Sequence, residues 1–344
     1  MRTAVVLFNL GGPDSLAAVQ PFLTNLFDDP AIIRLPRMPR WLLARVIARR
    51  RAPLAREIYR HLGGSSPILA NTEAQAGALE AALGEGFRVF IAMRYWRPFS
   101  AETAAAVKAW APDRVALLPL YPQFSTTTTA SSAGDWHRAA ARVGLTAPTR
   151  LLCCYPDDSG FIEAIVTMVA TALDEAPVGE RIRILFSAHG LPERIVAAGD
   201  PYRWQVERTV AAVLAALARP GLDAVLCFQS RVGPLAWIKP ATDEEIRRAG
   251  AERCSLIVVP IAFVSEHSET LVELDRDYGR LAEVSGVPSY RRLPTVGVDP
   301  FFIAGLASVV RRLTEEGRAV CSNSGARLCP IEFGGCLCAA ENAA

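Results

Sequence analysis

Three groups of side chains in the sequence could do chemistry that packing does not require: loop histidines, carboxylates at helical spacing, and thiols in a turn-rich tail. Only four histidines occur, and two of them, His189 and His267, fall where a strand should give way to a loop. His189 lies between small residues in Ser187-Ala-His-Gly-Leu-Pro, where backbone and ligand can approach the ring. It could bind a metal or take a proton near neutral pH, or serve as a structural histidine. Residues 265–277 read as a helix start on which Glu266, Glu269, Glu273 and Asp277 share one face at three- and four-residue spacing. Like charges so placed cost ~0.2–0.5 kcal/mol per pair, and the helix dipole offsets this only in the first turn. Because Leu271, Val272 and Leu274 already mark a buried side, a path for protons or hydrated metal ions explains the stripe better than a solvated face. In the tail, Cys329, Cys336 and Cys338 fall within ten residues beside Gly334 and Gly335, and read as exposed thiols or a zinc site. The one-residue gap between the last two does not favour the usual C-x₂-C zinc knuckle.

Elements that position these groups follow from the apolar runs. Strands are expected over roughly 3–10, 87–92, 113–120 and 149–154, then 181–187, 223–229, 254–262 and 290–297, each followed by a loop and a helical period. Continuous hydrophobicity in Arg114-Val-Ala-Leu-Leu-Pro-Leu and Leu256-Ile-Val-Val-Pro-Ile means that helices cover both sheet faces. The expected fold class is therefore α/β, with two similar Rossmann-like doubly wound domains, each a four-stranded parallel sheet flanked by helices. The divisions are 1–165, 166–317 and a cysteine-bearing tail over 318–344, taken as an appendage outside the core. Helix starts are expected at Asp14-Ser15, at Asn71-Thr72, and at Asp299-Pro300. Residues 34–60 hold nine arginines and one acid among Trp41, Leu42, Leu43, Val46 and Ile47, a basic amphipathic excursion.

Composition closes several classes. The net charge of +2 gives no ground for a nucleic-acid partner. Neither G-x-G-x-x-G nor G-x-x-x-x-G-K-[ST] occurs, which removes the usual support for dinucleotide or nucleoside triphosphate binding. The run Ser125-Thr-Thr-Thr-Thr-Ala-Ser-Ser could cradle a phosphate or simply cap a helix. No apolar stretch approaches the ~18–20 residues that span a bilayer, and the N-terminus reads as mature sequence, so a cytoplasmic location is expected. There the eight cysteines would be free thiols or metal ligands.

In open parallel sheets, ligands bind beyond the carboxyl ends of the strands, and the unusual clusters fall there. They are Asn9-Leu-Gly-Gly-Pro, Arg94-Tyr-Trp-Arg-Pro, Tyr121-Pro-Gln-Phe-Ser, Ser187-Ala-His-Gly-Leu-Pro, Gln229-Ser-Arg-Val-Gly-Pro-Leu-Ala-Trp237 and the segment around Glu266. Together with Arg49-Arg-Arg-Ala-Pro and Tyr59-Arg-His-Leu-Gly-Gly-Ser-Ser-Pro-Ile, and in this order along residues 3 to 313, they closely resemble the ferrochelatase family.

The resemblance implies an enzyme that inserts Fe²⁺ into protoporphyrin IX and releases two protons, the last step of haem biosynthesis. The same reaction on coproporphyrin III is the nearest alternative; an iron–sulfur redox or iron-sensing protein is one of another class. It implies that His189 and Glu269 face the macrocycle as the catalytic pair and contact the Fe²⁺ substrate, with Glu266, His267 and Glu273 on an acidic metal path. Arg51, Tyr59 and Ser66 match positions associated with the porphyrin carboxylates, and Arg94, Tyr121 and Trp237 match positions lining the cleft. The basic segment would form a lip, with transient membrane contact at the inner face of the membrane. Some members of the family carry a C-terminal [2Fe–2S] cluster, which would here be held by Cys329, Cys336, Cys338 and a fourth thiolate. That fourth is expected to be Cys154 or Cys153, only one of which can face the tail if the strand alternation continues; Cys154 is preferred and Cys321 is a substitute. The loop over 125–129, which supplies a cysteine in animal relatives, has hydroxyl residues instead.

Overall fold

A computed structural model describes every residue except 232, 234, 316, 343 and 344, so Val232 and Pro234 of the Gln229–Trp237 motif lie outside the described residues. All eight apolar runs form strands: β1 (Thr3–Asn9), β2 (Phe87–Met93), β3 (Arg114–Pro119), β4 (Thr149–Leu152), β5 (Ile182–His189), β6 (Asp223–Gln229), β7 (Ser255–Pro260) and β8 (Tyr290–Arg292). The last is shorter than its apolar run, because Pro294 has no N–H to continue the ladder.

The first sheet has the order β2-β1-β3-β4 and the second β6-β5-β7-β8, with every pairing parallel. In each sheet the earliest strand lies inside and its two successors pair on either side of it. The carboxyl ends of β1 and β5 are thus topological switch points, where such sheets bind ligands. Every residue of β1 and β7 is buried, as helices on both faces require.

The two sheets share one core. Val5 and Leu7 of β1 belong to the same buried cluster as Ile184 and Phe186 of β5. Helix Pro300–Glu315 returns from the second sheet to pack on helices Ile68–Leu83 and Ser159–Asp174 and on β3 and β4. Asp299 caps it as expected, accepting from Phe301 N at 2.9 Å. The crossing with helix Ser159–Asp174 requires glycine: a Cβ on Gly160 would lie 2.2 Å from the Phe301 carbonyl, and one on Gly305 2.3 Å from Asp158 Oδ1.

Several local expectations are corrected. The tail is not a mere appendage: β9 (Val320–Cys321) pairs parallel with Leu151 and Leu152 and makes the first sheet five-stranded, satisfying the otherwise open edge of β4. Helix Ile68–Leu83 begins after Pro67, with Asn71 and Thr72 inside it. Their side chains bond elsewhere, Asn71 Nδ2 donating to the Glu266 carbonyl at 2.9 Å and Thr72 Oγ1 accepting from Asn9 Nδ2 at 2.9 Å. After Asp14-Ser15, Ser15 caps a turn, and helix Val19–Phe27 follows it. Ser125 and Thr126 are already engaged: the Asp200 carboxyl group takes bonds from Ser125 Oγ at 2.9 Å and from Thr126 N and Oγ1 at 2.7 Å. The basic excursion is one helix, Arg37–His61.

Candidate functional site

His189 is the last residue of β5, opposite Gln229 at the end of β6. Its ring is 37% exposed, and Nδ1 lies 2.9 Å from Glu269 Oε2. Glu269 opens a π-helix, Glu269–Asp277, where an α-helix was expected. Bonding i to i+5 widens the turn, and π-turns are frequent at functional sites. Glu269 and Glu273 still face the same side, toward β5 and β6, while Asp277 is exposed at the far end.

Each carboxylate has fixed partners. His267 Nε2 stands 3.6 Å from Glu269 Oε2. Burial favours a neutral Glu269, but the charges and hydrogen bonds of His189 and His267 outweigh it and hold the carboxyl well below the usual range. Burial likewise lowers the His189 pKa, whereas Glu269 and, more weakly, Glu273 raise it above the ordinary histidine value. Glu273 is raised by burial and by the nearby Glu269 charge. It accepts from Gln229 Nε2 at 3.1 Å, Ser230 N at 2.9 Å, Tyr278 Oη at 3.1 Å and the Ser230 hydroxyl. Ser187 Oγ donates to Gln229 Oε1 at 2.9 Å, which turns the Gln229 amide hydrogens toward Glu273 and the Glu269 carbonyl.

The structure brings Tyr59 and Trp237 to this centre. Tyr59 sits against Ser268 near Glu269, and burial pushes its pKa up to about 12. Trp237 pairs with Pro192 and packs over Gly190, where an added Cβ would lie 3.3 Å from the indole. Glu266 turns away: it meets Arg292 Nη1 at 2.5 Å and Thr295 N at 2.9 Å. Arg94 is drawn into a buried network, donating to Asp29 at 2.8 Å and Ser131 at 2.7 Å, with Tyr121 nearby. Arg51 lies over the Phe27 ring at 5.8 Å. Ser66 touches Gly12 and lines a cavity of about 470 Å³ with Trp96 and Arg97.

Ser230, Tyr278 and Tyr202 were not singled out from the sequence. Tyr202 is buried close to Glu269 and the His189 backbone. Tyr278 follows Glu273 by five residues, a spacing that joins one face only in a π-turn. Ser230 has φ +63°, a conformation the sequence does not advertise for a serine.

A second cluster lies under helix Tyr202–Leu217, where Cys153, Cys154, Cys329, Cys336 and Cys338 are buried with Phe124. The tail thiols are therefore not exposed. The sulfurs of Cys153, Cys336 and Cys338 all lie within 4.8 Å of one another, a spacing that could hold a metal. The alternation argument for Cys154 alone fails because β4 ends at Leu152, so both neighbouring cysteines turn into the cluster. Cys321 instead lies in β9 and packs in the main core.

Two parallel sheets flanked by helices, with a histidine–carboxylate pair beyond the switch point of one of them, define the α/β fold that holds the site. The fold is similar to that of the sirohydrochlorin chelatase SirB from Bacillus subtilis subspecies spizizenii in complex with cobalt, with TM-score 0.54 and 14% identity over 92% of this chain and 96% of that one. The chain belongs to the ferrochelatase family, whose model matches residues 2–314, and is an enzyme that inserts iron into a porphyrin. Ferrochelatase from Phenylobacterium zucineum (strain HLK1) is 53% identical over 98% of both chains. That of Caulobacter vibrioides (strain NA1000 / CB15N) is 50% identical over 98% of this chain and 97% of its own.

Proposed function

We propose that this chain inserts Fe²⁺ into protoporphyrin IX, releasing two pyrrole protons, as the last step of haem biosynthesis. The observation that carries the chemistry is the 2.9 Å bond between His189 Nδ1 and Glu269. It fixes the tautomer with hydrogen on Nδ1, so Nε2 is the nitrogen that accepts a pyrrole proton. Glu269 stabilises the imidazolium that results. Glu273, held by Gln229 and Ser230, then passes protons outward, or hydrated Fe²⁺ inward, along the π-helix toward Asp277. His267 supports Glu269 from behind, and Glu266 with Arg292 forms the outer rim of this path.

Tyr59 and Trp237 wall the macrocycle, Arg51 and Ser66 take its carboxylates, and Arg94, anchored on Asp29, braces the wall beside Tyr121. Tyr121-Pro-Gln-Phe-Ser and residues 264–275 resemble the protoporphyrin-using branch of the family. We place the enzyme in the cytoplasm, touching the inner face of the membrane through helix Arg37–His61. That helix exposes Met38, Leu42, Val46 and Leu54 among its arginines, the composition of an interfacial helix. No helix among the described residues is long and apolar enough to cross a membrane.

The thiol site suits a [2Fe–2S] cluster on Cys329, Cys336, Cys338 and either Cys153 or Cys154, since four thiolates are needed and five buried thiols converge there. Bound there, the cluster would supply structural cross-linking or redox sensing. Metallation itself needs no electron from it, because Fe²⁺ enters the ring without net oxidation.

The test is purified enzyme given Fe²⁺ and either porphyrin under anaerobic conditions. Faster turnover of protoporphyrin IX is expected; preference for coproporphyrin III would move the enzyme to the other branch.

A further inference from the structure

Gln205 is wholly buried on helix Tyr202–Leu217, and its carboxamide can be oriented unambiguously. Phe124 N donates to Gln205 Oε1 at 2.7 Å, so the amide hydrogens must point the other way. There Nε2 lies 3.0 Å from Cys329 Sγ and 3.3 Å from Cys154 Sγ. An amide N–H can only donate, which makes both sulfurs acceptors, the role a thiolate fills better than a thiol. The helix cannot easily retreat. Tyr202 N is bonded to Asp200 Oδ1 at 2.9 Å, and Thr209 Oγ1 bonds back to the Gln205 carbonyl at 3.0 Å. On the tail side, Trp204 packs its ring 5.9 Å from that of Phe333, and Gly335 N donates to the Gly199 carbonyl at 3.1 Å. The sulfurs and their donor are therefore held together by the body and the tail at once.

We infer that Gln205 is a positioning residue of the thiol site, which holds the Cys154 and Cys329 sulfurs as hydrogen-bond acceptors and thereby raises the reduction potential of the iron–sulfur group bound there. The inference rests on the [2Fe–2S] reading above. Hydrogen bonds to cluster sulfurs help set the potential, because a donor stabilises the more negative, reduced state. Gln205→Met keeps length and apolar volume but has no N–H to give.

Wild type and Gln205→Met, purified without oxygen, should hold equal iron and acid-labile sulfide. The variant should have a lower midpoint potential and shifted sulfur-to-iron absorption, whereas Thr209→Val, which loosens the same turn without touching sulfur, should match wild type. Equal potentials and spectra in wild type and Gln205→Met would overturn the inference. A measurement on wild type alone guards against a variant that fails to fold. With glutamine side-chain amides labelled with ¹⁵N, pulsed EPR of the reduced protein should show coupling between the cluster and ¹⁵N, and its absence would count equally against the inference. Protein carrying zinc and no cluster would sink the [2Fe–2S] reading instead. The role of Gln205 is then read from Co²⁺ loaded in place of zinc, where an unmoved thiolate-to-Co²⁺ band in Gln205→Met would overturn it.

Discussion

The two polar sites meet one helix three residues apart and are built on opposite principles. Tyr202 faces the His189–Glu269 pair, and Gln205, three residues on, faces the thiols. At the first site, strand ends and a π-helix supply every carboxylate with protein partners. The His189 ring is 37% exposed, so a ligand can reach the pair. At the second, the sulfurs lean largely on one another. Cys153 Sγ lies 4.0 Å from Cys336 Sγ, and the neighbouring thiols hold Cys336 well below the usual thiol range while Cys153 and Cys338 are pushed up. Cys329 is lowered by Cys154 but raised more by Cys336 and burial, to about 12. Five thiols sharing so few donors form a ligand set that a metal group would complete. The first site lies within the stretch that the family model matches, whereas the second draws three sulfurs from beyond residue 314. The sites should therefore fail separately.

The sharpest way to break this contrast is Glu269→Gln. The amide keeps the shape but neither stabilises an imidazolium nor relays protons, so metallation should fall by about 10²- to 10⁴-fold, with porphyrin affinity little changed in a fluorescence titration. Equal loss of affinity and rate would mean that Glu269 serves binding. Anaerobically purified protein should be reddish-brown and Cys336→Ser should bleach it, while metallation per folded molecule falls far less than in Glu269→Gln. A colourless variant as inactive as Glu269→Gln would join the two sites into one.

A smaller effect is expected at Glu273. Its charge helps to raise the His189 pKa, and the base form of His189 appears only above that pKa. Activity should accordingly rise with pH through a midpoint above the ordinary histidine value of about 6.5. Glu273→Gln should move that midpoint to lower pH and slow turnover by about tenfold, equivalent to ~1.4 kcal/mol. A pH–rate profile identical to that of wild type would remove Glu273 from the proton path.

The strands, and the positions of His189 and Glu269 beyond strand ends, were legible in the sequence because periodicity and strand-end position are local signals. Asn71 and Thr72 misled because a cap and an interior residue that bonds to a distant loop have the same composition. The π-helix was hidden, since spacings of three and four residues suit either winding and only Tyr278, five residues past Glu273, tells them apart. At the thiol site the three tail cysteines were readable as a group, but Cys153 could not be separated from Cys154 without knowing where β4 ends. Gln205 carried no signal at all. Its role arises from a contact across 51 residues to Cys154 and 124 to Cys329.

The central claim, that His189 Nε2 takes the pyrrole proton during iron insertion, is tested most directly by His189→Ala, with haem formation followed by absorption under anaerobic conditions and porphyrin binding measured in parallel. Loss of insertion by at least about 10²-fold with porphyrin still bound is the expected result. Turnover near that of wild type would contradict the claim.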